Sequence, residues 1–94
     1  MEEIVERVKI PKGNQTFGLV ESKLGGNKFR VTCQDGKSRI CRVPGRLRRR
    51  LWLNPGNIVI VEPWEIQGDE KGDIIHKYSN AQIEWLRKKG YLNL

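Results

Sequence analysis

Between positions 37 and 50 stand Lys37, Arg39, Arg42, Arg46, Arg48, Arg49 and Arg50, with no acid among them, while the other eighty residues carry eleven Lys/Arg against eleven Asp/Glu. The net charge of +7 is therefore a patch rather than a property of the whole chain. Six of the seven are arginine, whose planar fork of donors matches phosphate oxygens better than the point charge of lysine does. Cations this concentrated attract polyanions, and nucleic acid is the expected partner. Trp52 follows the arginines directly, and an indole there serves equally well as a core anchor or as a platform for a base.

Other candidate chemistry is thin. Cys33 and Cys41 are eight positions apart with no second pair and no nearby His, which is too few ligands for a zinc site. They read as buried, unreactive thiols. His76 lies in an apolar segment with no Ser, Cys or carboxylate at nucleophile spacing, so a packing or surface role is expected. Asp69, Glu70 and Asp73 lack the ligand spacing of a calcium loop and alternate with Lys71 and Gly72, which reads as a solvated turn. Neither a metal nor a cofactor is expected, and no catalytic constellation points to an enzyme.

The elements that must position the cations are short strands separated by glycine-rich turns, an all-β pattern. The first strand spans 17–22, and Leu24-Gly25-Gly26-Asn27 turns it into a second over 28–34. There Phe29, Val31 and Cys33 alternate with Lys28, Arg30 and Thr32, giving one apolar and one cationic face. Asp35-Gly36 is a hairpin signal leading to a third strand over 37–43. A two-residue turn there sets Val31 opposite Ile40, Thr32 opposite Arg39 and Arg30 opposite Cys41, so that Arg30, Thr32, Arg39 and Cys41 share the outer face. Cys33 then points the other way, and no Cys33–Cys41 disulfide is expected. A β-bulge would shift this parity.

Pro44-Gly45 ends the third strand, and 46–51 reads as one or two helical turns. Leu47 and Leu51 lie four apart and face the core, leaving Arg46, Arg49 and Arg50 outside with Arg48 at the flank. A solvated helix face normally interleaves acids, and none is present. The fourth strand, over 57–65, contains Ile58-Val59-Ile60-Val61 and is expected to be buried on both sides. A fifth follows over 73–78, then a capping box in Ser79-Asn80-Ala81-Gln82 and a helix over 83–89, ended by Gly90. Arg87, Lys88 and Lys89 fall in its last turn, where they complement the helix dipole.

Ninety-four residues make one small domain. Its expected parts are a tail over 1–13, a barrel over 14–78 and a C-terminal helix and tail over 79–94 packed on it. The longest aliphatic run has four residues and the start is acidic, so neither a membrane span nor a signal peptide is read and a cytosolic monomer is expected. Five strands with a short basic helix between the third and fourth and a C-terminal helix is the element order of an OB-fold, a five-stranded Greek-key barrel.

The continuous stretch Asp35-Gly36-Lys37-Ser38-Arg39-Ile40-Cys41-Arg42-Val43-Pro44-Gly45-Arg46-Leu47-Arg48-Arg49-Arg50-Leu51-Trp52 resembles the signature of the translation initiation factor 1A family in its archaeal, S1-like form. Support continues through Gly56-Asn57-Ile58-Val59-Ile60-Val61 and Gly72-Asp73-Ile74-Ile75-His76-Lys77-Tyr78. The resemblance implies a factor that docks on the small ribosomal subunit at the aminoacyl-tRNA site, near the decoding centre, blocks premature elongator tRNA and promotes binding of initiator tRNA and mRNA. Other initiation factors, including an initiation factor 5B-type GTPase, are implied partners. It maps RNA contact onto Arg39, Arg46, Arg48, Arg49, Arg50 and Trp52; Lys37, Arg42, Lys28 and Arg30 join by charge and position.

Two features depart from the family pattern. Residues 1–13 mix Glu2, Glu3 and Glu6 with Arg7, Lys9 and Lys12 where relatives often carry a strongly basic tail, and the acidic extension of eukaryotic members is absent before Leu94. The alternative reading is a cold-shock-like RNA chaperone that binds single strands generally. Such proteins display aromatics on strands two and three, where this chain has only Phe29, read as inward. An OB-fold nuclease would need clustered carboxylates and a metal, and a protein-interaction module would use Trp64, Trp85 and Tyr91.

Overall fold

Ile58, Val59, Ile60 and Val61 are all buried, so their strand carries apolar side chains on both of its faces and must be covered twice. The computed structural model, which describes residues 8–94, shows how. Strands β1 (Thr16–Gly25), β2 (Lys28–Cys33), β3 (Ser38–Arg42), β4 (Ile58–Pro63) and β5 (Lys71–Lys77) close into a barrel in the order β1-β2-β3-β5-β4. All neighbours are antiparallel except β3 and β5. Val59 and Val61 point into the barrel with Val20, Val31, Cys33, Cys41, Val43, Leu53 and Ile74. Ile58 and Ile60 point outward into a second layer with Phe17, Tyr78, Leu86 and Leu92. Closure leaves no open sheet edge, the expected five-stranded OB-fold.

The second layer is roofed by helix α1 (Asn80–Lys88). Ser79 Oγ accepts from the Gln82 N–H while Gln82 Oε1 accepts from the Ser79 N–H, forming the capping box read from sequence. Gly90, at φ +82°, turns the chain so that the Tyr91 and Leu92 N–H groups both donate to Leu86 O. Leu92 is then buried and Leu94 packs beside it. Gln34 fixes this terminus to the base of β2: its amide donates to Tyr91 O and accepts from the Asn93 N–H.

Residues 1–7 of the expected N-terminal tail lie outside the described residues. Val8 and Ile10 pack against the outer apolar layer, and Tyr78 Oη donates to Lys9 O. His76 sits nearby, edge-on to Tyr78 at 4.7 Å, its Nε2 buried without a hydrogen-bond partner among the described residues. It occupies the packing role expected of it.

The register of β2 and β3 departs from expectation by one residue. Val31 faces Arg39, Arg30 faces Ile40 and Phe29 faces Cys41. The turn has three residues, not two: the Gly36 N–H donates to Cys33 O, Gly36 takes φ +92°, and the Cys33 N–H donates to Lys37 O, a turn closed by a glycine bulge. Parity is inverted along β3, and Arg39 and Cys41 point inward. Cys33 and Cys41 are both buried and both free. Burial pushes the Cys41 thiol up to about 12 and raises that of Cys33, although Arg39 beside Cys33 acts in the opposite direction.

The packing sets two expectations. A Cβ at Gly18 would lie 2.5 Å from Val31 Cγ1 and 3.0 Å from Val61 Cγ2, so Gly18→Ala is expected to lower unfolding free energy by about 1–3 kcal/mol, read by urea denaturation. Burial, and then the charge of Lys9, hold the His76 imidazole below its ordinary value of 6.5. The unfolded chain therefore takes up a proton that the folded chain refuses, and stability is lost as pH falls below 6.5. The urea midpoint should decline between about pH 7.5 and about pH 5.5, and less steeply in His76→Phe.

Candidate nucleic-acid interface

Because the helix covers the outer side of the β1–β4–β5 sector, the outer face of the β2–β3 hairpin is left to solvent. It presents Lys28, Arg30 and Thr32 from β2 and Ser38, Ile40 and Arg42 from β3. Lys28 stands directly opposite Arg42, a like-charge cross-strand pair that is unfavourable in the free protein. Thr32 Oγ1 donates to Glu21 Oε2 at the far margin.

Immediately after β3, the chain tightens into a 3-10 helix at Gly45–Leu47, with the Leu47 N–H donating to Pro44 O and the Arg50 and Leu51 N–H groups to Leu47 O. The element is shorter and tighter than the helix expected over 46–51, because Leu47 and Leu51 need only one turn to pack on the barrel core. Arg46, Arg48, Arg49 and Arg50 are exposed, and among the described residues none of them makes an ion pair. Arg48 is partly engaged, its Nε donating to Val43 O. The remaining three guanidinium groups make no side-chain hydrogen bond among the described residues, so they meet an incoming anion without first breaking a contact.

Trp52 resolves to the solvent side, 77 % exposed. Its backbone carbonyl accepts from Lys77 Nζ at 2.9 Å, fixing the main chain beneath the indole. Beside it lies a hollow of ≈ 380 Å³ lined by the cationic Lys23, Lys28 and Arg48 and the apolar Phe29, Leu51 and Trp52 among others. Nothing in the sequence distinguished Lys23 or Lys77 from other surface lysines, since each acquires its place only through barrel closure.

Arg39 does not belong to this surface. Its side chain is 3 % exposed, its Nη atoms grip both oxygens of Asp35 at 2.9 and 3.1 Å, and its Nε donates to Gly68 O. Burial pulls the Asp35 carboxyl up, but the Arg39 bonds and the Lys37 N–H outweigh it and hold the group below its ordinary value. The outward placement of Arg39 read from a two-residue turn is thus corrected: the bulge rotates it inside, where it clamps the β2–β3 turn to the β4–β5 loop. Lys37, outside, reaches Asp69 at 3.6 Å with both groups exposed, a pair that contributes little. Asp69 and Asp73 spend their charge on cations of this chain, Asp73 on Arg42.

The fold is thus a closed five-stranded barrel with one uncovered cationic hairpin face and an arginine turn that makes no ion pair among the described residues, and residues 5–93 match the family described as Translation initiation factor 1A / IF-1. The chain belongs to that family. It is 52% identical over 86 residues to Translation initiation factor 1A of Pyrococcus abyssi, covering 92% of this chain and 76% of the relative. It is 49% identical over 88 residues to the factor 1A of Methanococcus aeolicus, covering 92% and 84%. Among solved structures, the bacterial translation initiation factor 1 from the Wolbachia endosymbiont of Brugia malayi superposes with a TM-score of 0.55 at 28% identity, over 80% of this chain and 86% of that one. YjeQ from Thermotoga maritima shares the fold, with a TM-score of 0.56 at 24% identity over 69% of this chain and 23% of that one. Membership of the 1A family places the chain in translation initiation. Among the described residues no helix is long and apolar enough to cross a membrane.

Removal of the Arg39 guanidinium tests its structural assignment. Arg39→Met should destabilise the fold by about 1–3 kcal/mol through the orphaned Asp35 and Gly68 O. At temperatures where the variant is folded, RNA affinity and its salt dependence should match wild type in a filter-binding titration.

Proposed function

We propose that this chain binds the small ribosomal subunit at the aminoacyl-tRNA site, near the decoding centre, by contacts to rRNA phosphates. Arg46, Arg49 and Arg50 are the primary cations, with Arg48 and Arg42 beside them and Lys28, Arg30 and Lys37 at the margin. Trp52 offers its exposed face to an unpaired base. Occupancy of that site excludes premature elongator tRNA, and the bound state favours initiator tRNA and mRNA by population shift rather than by chemistry. The observation that carries this reading is the exposed arginine turn with no carboxylate partner among the described residues. Repulsion within it is relieved when phosphates arrive. Leu92 and Leu94 are packed on the barrel, which leaves the exposed Tyr91, its ring stacked 5.9 Å from that of the half-buried Trp85, as the apolar residue of the terminus offered to a partner GTPase.

The outer face of β2–β3 carries no aromatic residue, which disfavours a cold-shock-like binder of single strands. Co-sedimentation with isolated small and large subunits over a salt series separates the two readings. Saturable binding to small subunits alone is expected, with log affinity falling against log salt at a slope of about −4 to −5 if about six cations meet phosphates. Arg49→Gln/Arg50→Gln should flatten that slope by about one to two units without unfolding the protein. Equal binding to both subunits, with easy competition by free RNA, would instead establish a general RNA binder.

A further inference from the structure

Arg42 and Arg48 are both held through Nε, but among the described residues Arg42 alone of the exposed cations is held by a carboxylate and stacked on an aromatic ring. Its Nε donates to Asp73 Oδ1 at 3.2 Å, and its guanidinium carbon lies 4.9 Å above the centre of the Trp64 ring. The same Asp73 oxygen accepts from Trp64 Nε1 at 2.9 Å, so carboxylate, indole and guanidinium form a closed triangle. Asp73 is itself placed by the sheet, facing Arg42 across the parallel β3–β5 ladder and Glu62 across the antiparallel β4–β5 ladder. Its side chain is only 28 % exposed, whereas that of Arg42 is 54 % exposed. Both Nη atoms of Arg42 are without a hydrogen-bond partner among the described residues.

We infer that Asp73 and Trp64 are positioning residues that pre-orient Arg42, so that its two Nη groups present a fixed fork to a single RNA phosphate at the edge of the hairpin face. The inference rests on the phosphate-binding reading above. Its physical basis is that arginine binds phosphate best through paired parallel donors, and that a fork already locked by stacking and an Nε bond loses less side-chain freedom on binding. Lys28, opposite Arg42 on β2, has no ion pair or aromatic ring to hold it among the described residues.

The sign of one substitution separates this from simple electrostatics. Asp73→Asn removes a negative charge beside an anion site, so charge alone demands tighter binding of RNA. Pre-orientation demands weaker binding. Small-subunit binding is measured at fixed salt for wild type, Asp73→Asn, Trp64→Leu, Arg42→Lys, Arg42→Gln and the double variant Arg42→Gln/Asp73→Asn, with thermal melts confirming that each is folded. Asp73→Asn and Trp64→Leu are expected to weaken binding by about three- to tenfold. Arg42→Lys should weaken it comparably while the salt slope stays near wild type, since the charge is kept. In the Arg42→Gln background the loss caused by Asp73→Asn should disappear, leaving at most the tighter binding that removal of the charge gives, because the residue it positions is gone. Unchanged or tighter binding by Asp73→Asn, or an equal loss with and without Arg42, overturns the inference. Failure of wild type to bind small subunits would overturn the functional reading itself, a result distinct from either.

Discussion

The three-residue turn at Gln34-Asp35-Gly36 decides what the rest of the molecule presents. One residue more or less there exchanges the two faces of β3, and with them which arginines meet water and which are entombed. Gly36 supplies the positive φ that the bulge requires. Asp35, held at the turn, supplies the carboxylate that makes a buried guanidinium at position 39 tolerable. Arg39 in turn reaches Gly68 O, so the turn sets the β4–β5 loop as well. A buried charge in such a clamp serves geometry more than net stability, since its desolvation offsets much of the attraction.

Around that clamp the barrel divides its outer surface by polarity. Phe17, Leu19, Ile58, Ile60 and Ile75 make the β1–β4–β5 sector apolar outside as well as inside, and α1 with the C-terminal residues covers it. The β2–β3 sector has no cover, and its outer positions are polar or cationic save Ile40. The arginine turn that continues from β3 is anchored by Leu47 and Leu51 on the core and by the Arg48 Nε bond to Val43 O. The molecule therefore sets a rigid, covered scaffold on one side against, on the other, a cationic surface whose Arg46, Arg48, Arg49 and Arg50 make no ion pair among the described residues.

Much of this was legible in the residues. Alternation in 28–33, the Ile58–Val61 run, the Ser79/Gln82 box and the acid-free basic stretch each report a local rule that the fold obeys, and together they gave the barrel, the two-sided strand and the outward Arg46, Arg49 and Arg50. The orientation of Arg39 and Cys41 was not legible, because Asp-Gly fits a two-residue turn and a bulged one equally and the choice depends on tertiary contacts with Asp35 and Gly68. Trp52 was open for a similar reason: whether an indole packs or projects is set by whether Leu47, Leu51 and Leu53 already fill the barrel end, and they do. Asp73 and Lys77 took on meaning only through pairings more than twenty positions distant.

Barrel closure also imposes an order in time. The contact that joins β1 to β4 pairs Thr16 with Val61, about 45 residues later in the chain, whereas β2 and β3 are joined by a local turn. At a synthesis rate of about 5–20 residues per second, β1 waits some seconds on a ribosome with both apolar faces uncovered, while the cationic hairpin can already form beside it. The nascent chain thus brings its cationic hairpin together before it owns a core, within reach of the RNA of the machine that is making it.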